Sequence, residues 1–244
     1  MGITLLRISL LVLGYLLGSI PSGLLVGKTF LKIDLREHGS KNIGASNAIR
    51  VMGLKLGALT LFLDAFKSAI IVILVKYLIP IGIEDFNLIT INNYVLDISI
   101  FYGVAAIMGH TFPIFLNFKG GKAVAASLGV TLALTPIPGI LCLITYILVV
   151  VITKYASLGS TIAALVVGIS TTLQLIITKT LNENIVLIVL YWLLIIFIFI
   201  RHIPNYKRLI YGTENKMYFI KKKEKDNFWG YPFIYVAPSK PWFV

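Results

Sequence analysis

Apolar residues along this chain come in long runs separated by short polar stretches, the alternation expected of a polytopic membrane protein. Ile3 to about Val26 forms the first run, long enough to cross about 30 Å of hydrocarbon. It ends in Gly18-Ser-Ile-Pro-Ser-Gly23, where Pro and Gly permit a bent or broken end. No small-residue cleavage site follows, so this run reads as a retained first span. Leu54 to about Ile81 is the second span. Its Asp64 and Lys67 lie three residues apart on one helix face, so they can neutralise each other and should face protein, not lipid. A short acidic loop, Ile83 to Asn93, precedes a third span from Tyr94 to about Met108.

The run from Ala123 to Ile152 is interrupted by Pro136-Ile-Pro138. As one helix it would be roughly 45 Å long, too long for an upright crossing, so the prolines predict a tight hairpin of two short helices. Thr153 to Ser160 reads as a polar turn, and Ile162 to about Thr178 and Ile185 to Ile200 as the last two spans. The fold class expected is therefore all-α, with seven transmembrane helices including one short-helix hairpin. Counting one span over 123–152 instead of two would put the basic C-terminal stretch opposite His110–Lys122. With seven, every polar motif falls on one side. That side then collects all basic residues except Arg7, Lys76, Lys179 and the intraspan Lys67. Positive-inside bias makes it the cytoplasmic side and leaves the N-terminus extracytoplasmic.

Composition agrees with this class and narrows the chemistry. Residues are 58% hydrophobic and only 13% charged, against roughly a quarter charged in soluble domains. One bundle, residues 1–216, accounts for the chain up to a basic, aromatic-rich cytoplasmic tail, 217–244. The net charge of +12 is concentrated at 28–55 and 201–240, which suits an anionic leaflet or an anionic substrate better than nucleic acid. A single cysteine, Cys142, lies within an apolar run, so disulfides, thiolate catalysis and a cysteine-rich metal site are not expected.

Three polar segments, 34–50, 110–122 and 201–214, converge on one membrane face in this topology. Together they offer Arg36, Arg50, Lys119, Lys122 and Arg201, the hydroxyls of Ser40 and Ser46, the amides of Asn42, Asn47 and Asn205, and His38, His110 and His202. Cationic side chains, hydroxyl donors and glycine-freed backbone N–H groups form an inventory for phosphate. Carboxylates are too few for metal-assisted hydrolysis. Walker-type spacing, a nucleophile elbow and a His followed by Asp after four residues are all absent, so no covalent enzyme intermediate is indicated. The residues by themselves define a membrane protein handling a phosphorylated small molecule. An anion or phosphate-ester transporter is the alternative, although no internal repeat is evident.

Four motifs go further. Gly18-Ser-Ile-Pro-x-Gly23, Asp34-Leu-Arg-x-x-Gly-Ser-x-Asn-x-Gly-Ala-Ser-Asn47, His110-x-Phe-Pro-x-x-x-x-Phe-Lys-Gly-Gly-Lys122 and Asn205-x-x-Arg-Leu-x-x-Gly-x-Glu214 occur in this order. Leu63-Asp-x-x-Lys67 and Lys154-Tyr-x-Ser-Leu-x-Ser160 accompany them. Together they resemble the bacterial acyl-phosphate-dependent glycerol-3-phosphate acyltransferase family. The resemblance implies a multi-pass protein of the bacterial cell (inner) membrane. Its reaction would carry an acyl group from acyl phosphate to the 1-hydroxyl of sn-glycerol 3-phosphate, giving 1-acylglycerol 3-phosphate and phosphate at the start of phospholipid synthesis. No cofactor or metal is implied, and an acyl-phosphate-forming enzyme would act just before it.

By the same resemblance, Ser40, Arg50, Lys122, His202 and Asn205 are the catalytic candidates. Gly120, Gly121, Lys122, Arg50, Asn42 and Ser160 are the substrate-binding ones. Arg50 and Lys122 would hold phosphate, with the Gly120 and Gly121 amides lining its pocket. Ser40 and Asn205 would orient the acceptor and the acyl carbonyl. The acceptor proton would pass to a substrate phosphate or to His202. Glu214 reads as a partner for a basic residue. The family usually has Gly-Ser-Gly-Asn and Ala-Thr-Asn; here Lys41 replaces the second Gly and Ser46 the Thr, so the turn at Lys41 must accept a residue with a Cβ.

Overall fold

The computed structural model describes residues 2–91 and 94–219. The larger part of the expected tail, 220–244, lies outside the described residues. Among the described residues there are eight α-helices: α1 Gly2–Ser19, α2 Ser22–Val26, α3 Ala45–Ile73, α4 Ser99–Thr111, α5 Val124–Leu134, α6 Pro136–Thr153, α7 Ala156–Ile177 and α8 Ile185–Ile210. Among the described residues six stretches are long and apolar enough to cross a membrane: α1, α3 with its extension to Ile81, α4 with the turn to Leu116, α6, α7 and α8. Large apolar side chains such as Phe62, Ile144 and Ile177 point outward from them, as lipid-facing positions do.

Interhelix contacts depend on missing side chains. A Cβ on Gly18 would lie 2.1 Å from the Ala106 carbonyl oxygen, and one on Gly129 would lie 1.9 Å from that of Ala65. Small residues let backbones approach where apolar burial adds little driving force between helices in lipid. In this way α1 docks on α4 and α5 on α3. The main core lies at these crossings, around Ile71, Val72, Tyr102, Ala106 and Val130. A second, smaller core of Leu24, Leu35, Ile43, Ala48 and Met52 packs the polar segment 32–44 against α2 and the start of α3.

Several boundaries differ from the sequence expectation. Tyr94–Asp97 does not open the third span. It is strand β2, paired antiparallel with β1, Leu88–Ile91, in the register Leu88 opposite Asp97. The β-branched residues of Leu88-Ile-Thr-Ile suit a strand, and Arg7 clasps its start through Nε to the Phe86 carbonyl at 3.0 Å and Nη2 to the Leu88 carbonyl at 2.8 Å. The break in 123–152 falls at Thr135, with Pro136 as the first residue of α6, where its missing N–H costs nothing. Of the two expected hairpin helices only α5, with 11 residues, is short; α6 has 18. The polar turn after α6 shrinks to Lys154 and Tyr155, so Ser157 and Ser160 belong to α7. Helix α8 continues past Ile200 through Pro204 to Ile210, which makes His202 and Asn205 helical neighbours three residues apart. The Asp64–Lys67 pair faces protein as expected, with 2.8 Å between carboxylate and amine.

Candidate active site

The three polar segments meet in one cleft. Ser40, Asn42, Arg50, Lys122, Ser160, His202 and Asn205 all line it, together with Ser46, Asn47, His110, Ser157 and Glu214. Its polar end passes into an apolar body walled by Leu128, Leu143, Val167, Leu194 and Ile195. Such a cleft accommodates an anionic head and a hydrocarbon chain at once.

Asn47, buried in the first turn of α3, organises the 34–50 segment. Its Oδ1 accepts the Ser40 backbone N–H at 2.8 Å, and its Nδ2 donates to the carbonyls of His38 at 3.0 Å and Asn42 at 2.8 Å. The Asn42 side chain in turn accepts the Gly44 N–H at 2.9 Å. Lys41 adopts the left-handed conformation, φ +59°, in the turn this network closes. The turn at Lys41 thus accepts a residue with a Cβ in a conformation that glycine adopts more readily.

Arg50, one helical turn beyond Asn47, donates to Asn47 Oδ1 at 3.3 Å, to the Asn215 carbonyl at 3.1 Å and to the Lys216 carbonyl at 3.2 Å. A guanidinium has five N–H donors, so among the described residues two are left over for a ligand. The strap that accepts from it is itself anchored by the Met217 N–H, which donates to the Lys154 carbonyl at 2.8 Å. Met217 is buried against Ile49, Val150 and Ala156.

Glu214 ties this strap to α7 and α8. It accepts from Asn205 Nδ2 at 2.7 Å, Ser157 Oγ at 3.2 Å and Arg208 Nε at 2.7 Å. Its expected pairing with a basic residue is thus found. Lys122 donates its Nζ to Asn205 Oδ1, so one amide links the ammonium to the carboxylate. Burial and the cations of Arg208, Arg201 and Arg50 push the Lys122 amine down to about 8 against the opposing pull of Glu214. His202 faces the Ile198 carbonyl through Nδ1 at 2.8 Å. A carbonyl only accepts, so Nδ1 carries a hydrogen there, which leaves Nε2 as the other ring nitrogen for a ligand. Ser160 donates to the Ala156 carbonyl at 2.8 Å within its own helix.

Gly120 and Gly121 behave differently from the expectation. Their N–H groups donate to the carbonyls of Thr111 and His110, at 3.1 and 3.0 Å, and are not free to meet phosphate. Glycine is needed there for space: a Cβ would lie 2.3 Å from the His110 carbonyl oxygen at Gly120 and 2.0 Å from His110 Nε2 at Gly121. The turn therefore places Lys122; it is no anion nest. Ser157 and Tyr146, whose hydroxyl pairs with that of Ser46 at 3.0 Å, were not drawn from the sequence as candidates, while Ser46 and Asn47 stood there only in the general inventory for phosphate. Asn47 lay inside a quoted motif, but its bracing role depends on how 34–44 folds back over α3.

A membrane-embedded bundle with a cationic, amide-rich cleft passing into an apolar pocket suits the class of integral-membrane proteins that handle a phosphorylated head together with a hydrocarbon chain. A family profile described as glycerol-3-phosphate acyltransferase matches residues 8–212. The glycerol-3-phosphate acyltransferase of Acholeplasma laidlawii is 38% identical over 217 residues, covering 85% of this chain and 91% of the relative. That of Fusobacterium nucleatum is 40% identical over 210 residues, covering 86% and 97%. The solved structure of PlsY (YgiH), an integral membrane glycerol 3-phosphate acyltransferase, in its glycerol 3-phosphate form superimposes with a TM-score of 0.69 at 32% identity. It covers 86% of this chain and 94% of that one. The lysophosphatidic acid form gives 0.67 at 31% identity, covering 87% and 95%. The chain belongs to the glycerol-3-phosphate acyltransferase family.

Proposed function

We propose that this acyltransferase takes its acyl group from acyl phosphate and transfers it to the 1-hydroxyl of sn-glycerol 3-phosphate at the cytoplasmic face of the bacterial cell membrane. The products are 1-acylglycerol 3-phosphate and inorganic phosphate. The observation that carries the reading is the cleft itself, in which Arg50 and Lys122 stand at the polar end of an apolar channel. Arg50 offers its two unspent N–H donors to a phosphate, and Lys122 its charge. Asn205, held by Glu214, and Ser40, on the segment braced by Asn47, orient the acceptor and the acyl carbonyl as negative charge develops on oxygen. Asn42 and Ser160 line the same cleft beside them.

The hydroxyl oxygen of the acceptor attacks the acyl carbonyl carbon, and the carbon–oxygen bond to phosphate breaks. Acyl phosphate is already activated, so positioning supplies much of the acceleration. His202, which lines the cleft and whose Nδ1 is held by the Ile198 carbonyl, takes the acceptor proton on Nε2 in this reading; the departing phosphate is the other acceptor available to it. Seven crossings, counting α5 as a short one, keep all motif segments on the cytoplasmic side and the N-terminus outside. An acyl-phosphate-forming enzyme supplies the donor.

The test offers purified enzyme labelled glycerol 3-phosphate with palmitoyl phosphate, palmitoyl-CoA or palmitoyl acyl carrier protein. Lysophosphatidate is expected from palmitoyl phosphate alone. Equal rates from a thioester donor would overturn the donor assignment.

A further inference from the structure

The Asp64–Lys67 pair has no part in the chemistry above, yet it lies behind the cleft wall and is 1% and 8% exposed. Lys67 Nζ stands 2.8 Å from Asp64 Oδ1 and donates to the Ile20 carbonyl at 2.6 Å, where the chain breaks between α1 and α2. The other carboxylate oxygen, Asp64 Oδ2, is buried without a hydrogen-bond partner among the described residues. As a helix fastener this arrangement is poor. Desolvating two charges cancels most of their attraction, and well-packed apolar residues of the same volume hold helices as well or better.

What apolar residues would not supply is direction. His110 Nδ1 lies 3.5 Å from Asp64 Oδ1. The opposite ring nitrogen, Nε2, abuts Gly121, where a Cβ would lie only 2.0 Å away. The His110 carbonyl meanwhile accepts the Gly121 N–H at 3.0 Å. One histidine thus grips Gly121 from two sides. The Gly121 carbonyl accepts from Arg201 Nη2 at 2.9 Å, and the next residue, Lys122, reaches Asn205.

We propose that Asp64 and Lys67 are positioning residues for Lys122, acting through His110 and Gly121. The carboxylate sets the imidazole, the imidazole seats the turn, and the turn aims the ammonium at the phosphate of the substrate. This rests on the assignment of Lys122 to phosphate given above.

The test compares kcat and KM for glycerol 3-phosphate, with calorimetric binding of the same compound, in wild type and in Asp64→Asn/Lys67→Met. That double change removes both charges and leaves no lone buried ion. Expected are a KM raised about tenfold or more, since small misplacements of binding groups are costly, a matching loss of affinity, and an unchanged melting temperature. His110→Gln should do the same, and the triple variant should be no worse than either. Gly121→Ala should cost less in the double variant than in wild type, because an unpinned imidazole can turn away from the new methyl. If the double variant does not fold, Asp64→Glu, which keeps both charges but displaces the carboxylate from His110, carries the same expectation for KM. A wild-type KM in a folded variant, or effects of the pair and His110 that multiply, overturns the positioning role alone. A wild type that neither binds nor acylates glycerol 3-phosphate overturns the underlying site assignment with it.

Discussion

At the scale of single residues, two cations and one turn define the site. Arg50→Ala and Lys122→Ala are expected to lower kcat/KM by at least about a hundredfold with folded protein retained, the scale of losing a charged transition-state contact. Near-wild-type kinetics would remove that residue from the cleft's chemistry. The Lys122 amine, pushed down to about 8, is charged below that pH and neutral above it. A phosphate binds the ammonium, so kcat/KM for glycerol 3-phosphate should fall as pH rises through about 8, and a profile flat to pH 10 would contradict the assignment. Lys41 pays for its left-handed backbone, φ +59°. Lys41→Gly should therefore raise stability by about 1 kcal/mol in thermal unfolding, since αL costs a residue with a Cβ about that much. The motifs pointed in sequence to residues that the fold gathers around one cleft. The role of Gly120 and Gly121 was not legible there, because paired glycines look alike whether they free their N–H groups or make room for a neighbouring ring.

At the scale of elements, the breaks matter as much as the helices. Apolar runs revealed where helices lie, but their ends followed local donors and acceptors that hydropathy does not see. Helix α8 runs on to Ile210 although its apolar run stops at Ile200, and that extension sets His202 and Asn205 on one face toward the cleft. A strap rather than a helix closes the site: Met217, 1% exposed, anchors residues whose carbonyls hold Arg50. Met217→Ala should cost about 2–5 kcal/mol if the cavity stays open. It should also reduce kcat/KM, whereas Tyr218→Ala, at an exposed neighbour, should do neither. Equal effects of the two would remove the strap from the site. In sequence this methionine lay at the edge of a basic tail without a motif, and only its burial shows what it does.

At the scale of the whole molecule, the polar segments gather at one end of a bundle whose sides are apolar. Charge asymmetry and span parity already pointed to that arrangement, while the β1–β2 hairpin at the opposite polar boundary was read as loop and span. The proposed topology, seven crossings with the motif end inside the cell, predicts a labelling pattern. In a Cys142→Ser background, Asn182→Cys should react with a membrane-impermeant maleimide added outside intact cells, and Lys41→Cys only after lysis. The reverse pattern would invert the topology and separate the cleft from cytoplasmic substrates.

The central claim is that this cleft couples an acyl phosphate to glycerol 3-phosphate. Its most direct test is phosphate release from palmitoyl phosphate by the purified enzyme, with and without glycerol 3-phosphate. One phosphate released per lysophosphatidate formed, with release dependent on the acceptor, is the predicted result. Release that ignores glycerol 3-phosphate, or acylation without phosphate, would contradict the account.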